Sequence, residues 1–409
     1  MSDGSRHDDS SQRNGDISDP FENLGMGPDV YDYRRPYWRY LEEVGKMCAG
    51  ACQPACDRQY RRAAEVITNA DFLLIGAGAG MGVDSGLATY ADVASVAAWA
   101  ERGHDYGSLC RPSLLREDPS LFYGFWGHCY NQYMDAHPHQ GYNILRRWCT
   151  EVIAPPIEHG LLNHWVYTSN VDGHFLRAGF DPKAVLELHG GVTGAKGWFC
   201  PTCSDSKLQD TVNVSDLFSG SSEAEHRGFR FPVDALTMQV ADGDAGHWPR
   251  CARPGCRGLL RPAAHLFGED NAALLAHFAL EEERYVAWEV EMEKCVRGLK
   301  SGSNGRKAPR LVLLEIGCGL RVPSVRMEME CVLRDLVNAE RHHPEEAETC
   351  QVVLVRINPD WPQNPLMSEH TIEIRAQALE ALTAIDRCIN KLRSTHSPSS
   401  DPHHTCSDL

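Results

Sequence analysis

Five short runs of consecutive apolar residues decide the fold class: "FLLIGAG" beginning at 72, "HWVYTSN" at 164, "AVLELHG" at 184, "RLVLLEIG" at 310 and "CQVVLVRIN" at 350. A strand without alternating polar positions is buried on both faces, and strands of that kind separated by helical periodicity form a parallel sheet covered by helices. The expected class is therefore α/β, a Rossmann-like parallel sheet as the large domain. With 409 residues and 42% hydrophobic composition, the chain can bury a substantial core. Residues 1–30 and 394–409 are polar and read as disordered tails. The stretch "RGLKSGSNGRKAPR" from Arg297 reads as a flexible loop.

The first run leads straight into a turn with glycine at 76, 78, 80, 82 and 86. Glycines allow a tight turn and a close approach of backbone N–H groups to a pyrophosphate, and a helix starting near Asp84 would add its positive end. The strict G-x-G-x-x-G spacing is not met, so the turn alone does not separate a nucleotide cradle from a tight strand-to-helix connection.

Residues 197–260 break the strand and helix rhythm and read as a small inserted module, with cysteine pairs near both ends. Cys200 and Cys203 form C-x2-C, and Cys251 and Cys256 form C-x4-C; two such loops deliver four thiolates to a tetrahedral zinc ion. With all four corners filled by cysteine, the metal would be structural. Cys48, Cys52 and Cys56 fall at i, i+4, i+8 and would line one helical face, although Pro54 disturbs that geometry.

The formal net charge of −16, with no basic run, argues against direct nucleic-acid binding, and no apolar run is long enough to span a membrane. The first 19 residues lack the apolar core of a signal peptide, so an intracellular protein is expected, and its 16 cysteines would be core residues, metal ligands or reactive thiols.

Five further segments extend the picture. "GAGMGVDSGL" from Gly78, "TSNVDGHFLRAGF" from Thr168, "VLELHGG" from Val185, "GLLRPAAHLFGED" from Gly258 and "EIGCGLRV" from Glu315 follow one another in the order of the sirtuin motifs, with "VRIN" at 355 closing the series. The chain resembles the sirtuins, the NAD-dependent protein deacylases, over about residues 60–390, and the resemblance implies a catalytic domain over residues 31–393. The resemblance implies NAD and structural zinc as cofactors and an acylated protein or peptide as substrate. It implies that the acyl oxygen attacks the nicotinamide ribose, nicotinamide leaves, and a histidine takes a ribose hydroxyl proton. By the same match His189 is that base, with Asn170 and Asp172 in the catalytic pocket. Gly78, Ala79, Gly80, Gly82, Gly86, Tyr90, Ser169, Gly317, Cys318, Leu320 and Asn358 border the cofactor, and Asn358 is placed to hydrogen-bond a ribose hydroxyl. His265, Phe267, Gly268 and Glu269 match the segment whose edge pairs with the substrate backbone as an added strand. An imidazole at 265, where the family carries an apolar residue, would narrow or polarise the acyl channel.

The chain departs from the family where P-D-F-R is expected: it has Ala88, Thr89, Tyr90 and Ala91. Tyr90 keeps an aromatic face, but the charged pair is gone, a loss of about 1.5–3 kcal/mol, or tenfold to more than a hundredfold in affinity. Gly82 stands for a serine, Ser169 for a glutamine, and Cys318 and Gly319 for a Thr-Ser pair. Three functions fit these residues: a deacylase, a module that binds NAD or ADP-ribose without turnover, and an NAD glycohydrolase or ADP-ribosyltransferase.

Overall fold

A computed structural model describes residues 56–89, 96–154, 160–194, 197–203, 211–218, 229–241, 248–297, 309–342 and 351–396. Cys48, Cys52, Tyr90, Ala91 and Asp92 lie outside them, as do the loop 298–308 and nearly all of both expected tails.

The apolar runs form the sheet. Strands β1 (Phe72–Ala77), β2 (His164–Thr168) and β3 (Val185–Glu187) come first; two further pairs of residues, β4 (Gly190–Gly191) and β5 (Trp198–Phe199), and then β6 (Arg261–Ala264) lie outside the main sheet. Strands β7 (Arg310–Ile316), β8 (Gln351–Ile357) and β9 (Thr371–Ile374) complete it, in the order β3-β2-β1-β7-β8-β9. Every pairing within these six is parallel. All six residues of β1 are buried, as a strand covered on both sides requires.

Alternation along the strands sends side chains to two separate cores. Leu73, Ile75, Val166, Val312, Leu314, Val355 and Ile357 share one core with residues of helices α1 (Asp57–Thr68), α3 (Gln140–Arg147) and α6 (Ala378–His396). Phe72, Leu74, Trp165, Leu311, Leu313 and Leu354 share the other with α4 (Ala272–Val296) and α5 (Ser324–His342). Helix α6 runs through His396, so the expected tail begins with three helical residues.

The third core belongs to helix α2 (Pro119–Asp135) and the inserted module. Asp118 caps α2, its carboxylate accepting from the Leu121 amide at 2.9 Å, with Pro119 at the first helical position. Gly124 lets the module approach the helix: a Cβ there would lie 2.1 Å from the Met238 carbonyl oxygen. Tyr123, Trp198 and Phe231 stack on one another, and the Tyr123 hydroxyl donates to the Leu260 carbonyl at 2.7 Å. The module reaches the rest of the chain through β6, which pairs antiparallel with β4 on one side and β5 on the other.

Candidate functional site

Strand order reverses between β1 and β7, and an open parallel sheet binds its ligands in the crevice beyond such a reversal, at the carboxyl ends of the strands. The glycine turn leaves β1 there and Gly317 leaves β7 there. The two turns are in backbone contact: the Gly78 amide donates to the Ile316 carbonyl and the Gly80 amide to the Gly317 carbonyl, each at 3.0 Å. A Cβ on Gly78 would meet the Gly317 carbonyl oxygen at 2.7 Å, and one on Gly317, where φ is +63°, would meet Gly80 backbone carbon at 2.5 Å. These glycines are therefore required for one turn to lie on the other, whatever the crevice beyond them holds.

The turn continues as two short 3-10 segments, Ala79–Met81 and Val83–Ser85, in place of the α-helix expected to start near Asp84. Gly86, at φ +82°, ends the second, and Asp84 is used elsewhere: its carboxylate accepts from the Leu379 amide at 2.8 Å, at the start of α6. His139, which the sequence reading passed over, braces the same segment. Its backbone amide donates to Ser85 Oγ at 3.0 Å, its Nε2 donates to the Met81 carbonyl at 2.9 Å, and its Nδ1 accepts from the Gly141 amide at 3.0 Å. Its position just before α3 is the signal that was available.

The end of β2 is tied to the same turn. Thr168 Oγ1 donates to the Ala77 carbonyl and accepts from the Asn170 amide, and Asn170 Nδ2 donates to the Gly78 carbonyl at 2.9 Å. Asn170 and Asp172 are buried, and with Ala79, Gly82, Leu87, Tyr106, Phe125 and Trp126 they line a cavity of about 40 Å³. Burial pushes the Asp172 carboxyl up to about 6, opposed by the His174 amide, which donates to it at 2.8 Å, and by Arg177. Half-buried His189 follows β3. Burial, with the neighbouring His265 imidazole, pushes it down to about 4, while the Ser169 carbonyl pulls the other way. The ring is thereby held neutral, with one nitrogen available as an acceptor, and is a weaker base than a free imidazole.

Asp172→Asn is expected to stabilise the fold. A folded carboxyl at about 6 holds its proton more tightly than an unfolded one at 3.8, so stability is lost as pH rises between those values. The amide avoids that loss, a gain of up to about 3 kcal/mol above pH 6 that vanishes below pH 4. Urea midpoints at about pH 4 and about pH 8 measure it; an equal midpoint shift at both would refute the titration argument.

Other expected positions fall differently. Asn358 donates from Nδ2 to the Cys318 carbonyl at 2.8 Å, and its Oδ1 accepts from the amides of Asp360 and Trp361, so its carbonyl is committed to a turn. Cys318 is buried, whereas Gly319 has open space where a Cβ would project. The 265–269 segment turns rather than running as a strand: Gly268 is exposed at φ +72°, the Phe267 amide donates to the Cys110 carbonyl, and the Glu269 carboxylate is buried against Arg261 at 2.6 Å.

The four cysteines of the module converge, all their Sγ atoms within 4.8 Å of one another. Cys200 and Cys256 are 3.6 Å apart and Cys203 and Cys251 3.5 Å. Zinc–sulfur bonds of about 2.3 Å at tetrahedral angles require about 3.8 Å between sulfurs, so the quartet fits Zn²⁺. The Gly258 amide donates to Cys256 Sγ at 3.4 Å, and Arg253 donates to the Cys203 carbonyl at 2.8 Å, fixing both loops.

Among the described residues no helix is long and apolar enough to cross a membrane. The zebrafish (Danio rerio) mitochondrial NAD-dependent protein deacylase sirtuin-5 is 25% identical over 269 residues, 65% of this chain and 77% of that protein. An NAD-dependent protein deacylase of Aeropyrum pernix is 27% identical over 230 residues, 54% of this chain and 86% of its own length. The solved structure of a Sir2 homolog–NAD complex is similar at a TM-score of 0.48 and 16% identity, covering 81% of this chain and 94% of that one. The Sir2 family model matches residues 78–286, half of the chain, from the glycine turn through Asn170, Asp172, His189 and the cysteine quartet into α4; the chain belongs to the Sir2 family.

Proposed function

We propose that this protein is an NAD-dependent protein lysine deacylase with His189 as its general base. The observation that carries the reading is the bond from Asn170 to the glycine turn beside the strand-order reversal, with Asp172 lining the same cavity and His189 next along the strand ends, against the Ser169 carbonyl. NAD, when bound, supplies an electrophilic ribose carbon whose nicotinamide leaves as the acyl oxygen attacks. Gly78, Ala79, Gly80, Gly82, Gly86, Ser169, Gly317, Cys318, Leu320 and Asn358 would border it, with Asn170 and Asp172 holding the nicotinamide ribose end. The polar lining of Asn170 and Asp172 in an otherwise mostly apolar cavity, with Tyr106, Phe125 and Trp126 in its wall, suits a carboxamide-bearing ring. His189, neutral and beside the Ser169 carbonyl, takes a proton from a ribose hydroxyl. Phe267 and Gly268 face the acylated peptide. The curated relatives described above carry the name NAD-dependent protein deacylase, which agrees.

Nicotinamide release from NAD, with and without acylated lysine peptides, tests the reading. Peptide-dependent release is expected; because His189 acts after nicotinamide has left, His189→Ala should hold release to about one equivalent per chain and lower the steady-state rate at least about a hundredfold. Release that ignores peptide identifies an NAD glycohydrolase, and saturable NAD binding without release identifies a binding module; either result overturns the deacylase.

A further inference from the structure

His189 does not stand alone. Strand β4 pairs antiparallel with β6, Gly191 opposite Ala263 and Gly190 opposite Ala264, and one more step of that register sets His189 opposite His265. The His265 amide donates to the His189 carbonyl at 2.9 Å, which confirms the step. Residues directly opposite in an antiparallel pair project to the same side, with Cβ atoms about 4.5–5.5 Å apart. The two imidazoles are therefore neighbours on one face.

The surroundings of His265 are polar where they could have been apolar. Glu269 Oε1 is taken up by Arg261 Nη2 at 2.6 Å and by the Asn271 amide at 3.0 Å. Glu269 Oε2, Arg261 Nη1 and His265 Nε2 are buried with no hydrogen-bond partner, and the side chains of Arg261 and Glu269 are at most 2% exposed. Phe278 of α4 packs on the His265 ring at 5.6 Å. A buried polar atom left without a partner is unfavourable, and a ligand group that completes it is selected over one that covers it with hydrocarbon.

We propose that His265 is a specificity-determining residue that hydrogen-bonds a neutral polar group, such as a hydroxyl, on the acyl chain of the substrate. This rests on the deacylase reading, since it takes the acyl group to lie beside His189. A plain alkyl chain would bury the ring nitrogen unpaired. A carboxylated chain would meet the Glu269 carboxylate; Arg261 Nη1, the one donor there that such a chain could take, is the rival that the succinyl peptide tests.

The test uses the full chain and three peptides that differ only in lysine acylation: butyryl, 3-hydroxybutyryl and succinyl. Affinity is read by fluorescence anisotropy of labelled peptides and needs no turnover. Wild type should bind the hydroxybutyryl peptide about tenfold more tightly than the butyryl peptide. His265→Val should remove that preference and His265→Gln, which keeps a polar end, should retain part of it. Equal wild-type affinities, a preference unchanged in His265→Val, or tightest binding of the succinyl peptide would each overturn the inference while leaving the deacylase reading intact. Wild-type protein that binds none of the three overturns both. The wild-type comparison does not depend on either variant folding.

Discussion

Replacing Arg356 with methionine should cost about 3–5 kcal/mol of stability, because it leaves a buried carboxylate without its principal partner. Arg356 Nη2 contacts Glu315 at 2.8 Å and Glu330 at 2.7 Å, and Nη1 donates to the Gln363 carbonyl at 3.0 Å; Arg356 and Glu315 have side chains with no exposed surface. The two lie side by side across β7 and β8, two strands whose other buried residues are all aliphatic. The second guanidinium, of Arg326, approaches Glu315 only to 3.9 Å and is engaged with the carbonyls of Trp361 and Gln363. A loss of that size is a large part of the 5–15 kcal/mol that holds an ordinary domain folded. Two controls separate charge from volume. Glu315→Gln in the Arg356→Met background should recover most of the loss, since the stranded charge is then gone, whereas Glu330→Gln, at a partly exposed site, should recover little. Denaturant midpoints read all three; an Arg356→Met cost below about 1 kcal/mol would show that the ion cluster contributes nothing net. Because both arginines hold carbonyls of the segment that follows Asn358, the same variant should loosen the adenosine side of the proposed cofactor cleft and weaken NAD binding.

That cluster was invisible in the sequence. Glu315 and Arg356 are distant along the chain, and each reads alone as a polar interruption of an apolar run; only the parallel register pairs them. The strands themselves were legible because burial on both faces writes itself as consecutive apolar residues, as in the fully buried β1. The glycine turn was legible as a tight turn, but what it lies against was not. Gly78, Gly80 and Gly317 are glycines because two turns lie on each other, and that constraint exists before any ligand arrives. Asp84 shows the limit of local reading: an acidic residue after glycines looks like a helix start, yet its carboxylate caps α6, far along the chain. His189 could be found from its motif, but its pairing with His265 depends on two glycines of β4 fixing a register that spacing does not encode. The cysteine quartet was the most legible feature, since metal geometry restricts loop length within each pair and leaves the interval between pairs free.

Removing that metal is expected to have the largest effect of all. Structural zinc contributes about 10–16 kcal/mol of apparent free energy to small modules that have little else. Here the module has something else: Trp198 and Phe231 stack against Tyr123 of α2, and Trp248 packs on the same ring. The turn carrying Cys251 and Cys256 has less support: its residues 252–255 are exposed and it is held by the Cys251 amide on Gly258 and by the Gly258 amide on Cys256 Sγ, whereas Cys200 is buried in the core beside Trp198. Chelation, or Cys203→Ser, should therefore release that turn, expose Trp198 and Trp248 and shift tryptophan emission to the red. The β6 strand that the module anchors carries Arg261 and leads to His265, so its release should also disturb the pairing of His265 with His189 and abolish discrimination among acyl peptides. The main sheet has its own two cores and should keep its far-ultraviolet signal and its cooperative urea transition. Purified protein should carry one zinc per chain. Unchanged emission and unchanged peptide binding after the zinc is removed would mean that the aromatic stack, and not the metal, holds the module in place.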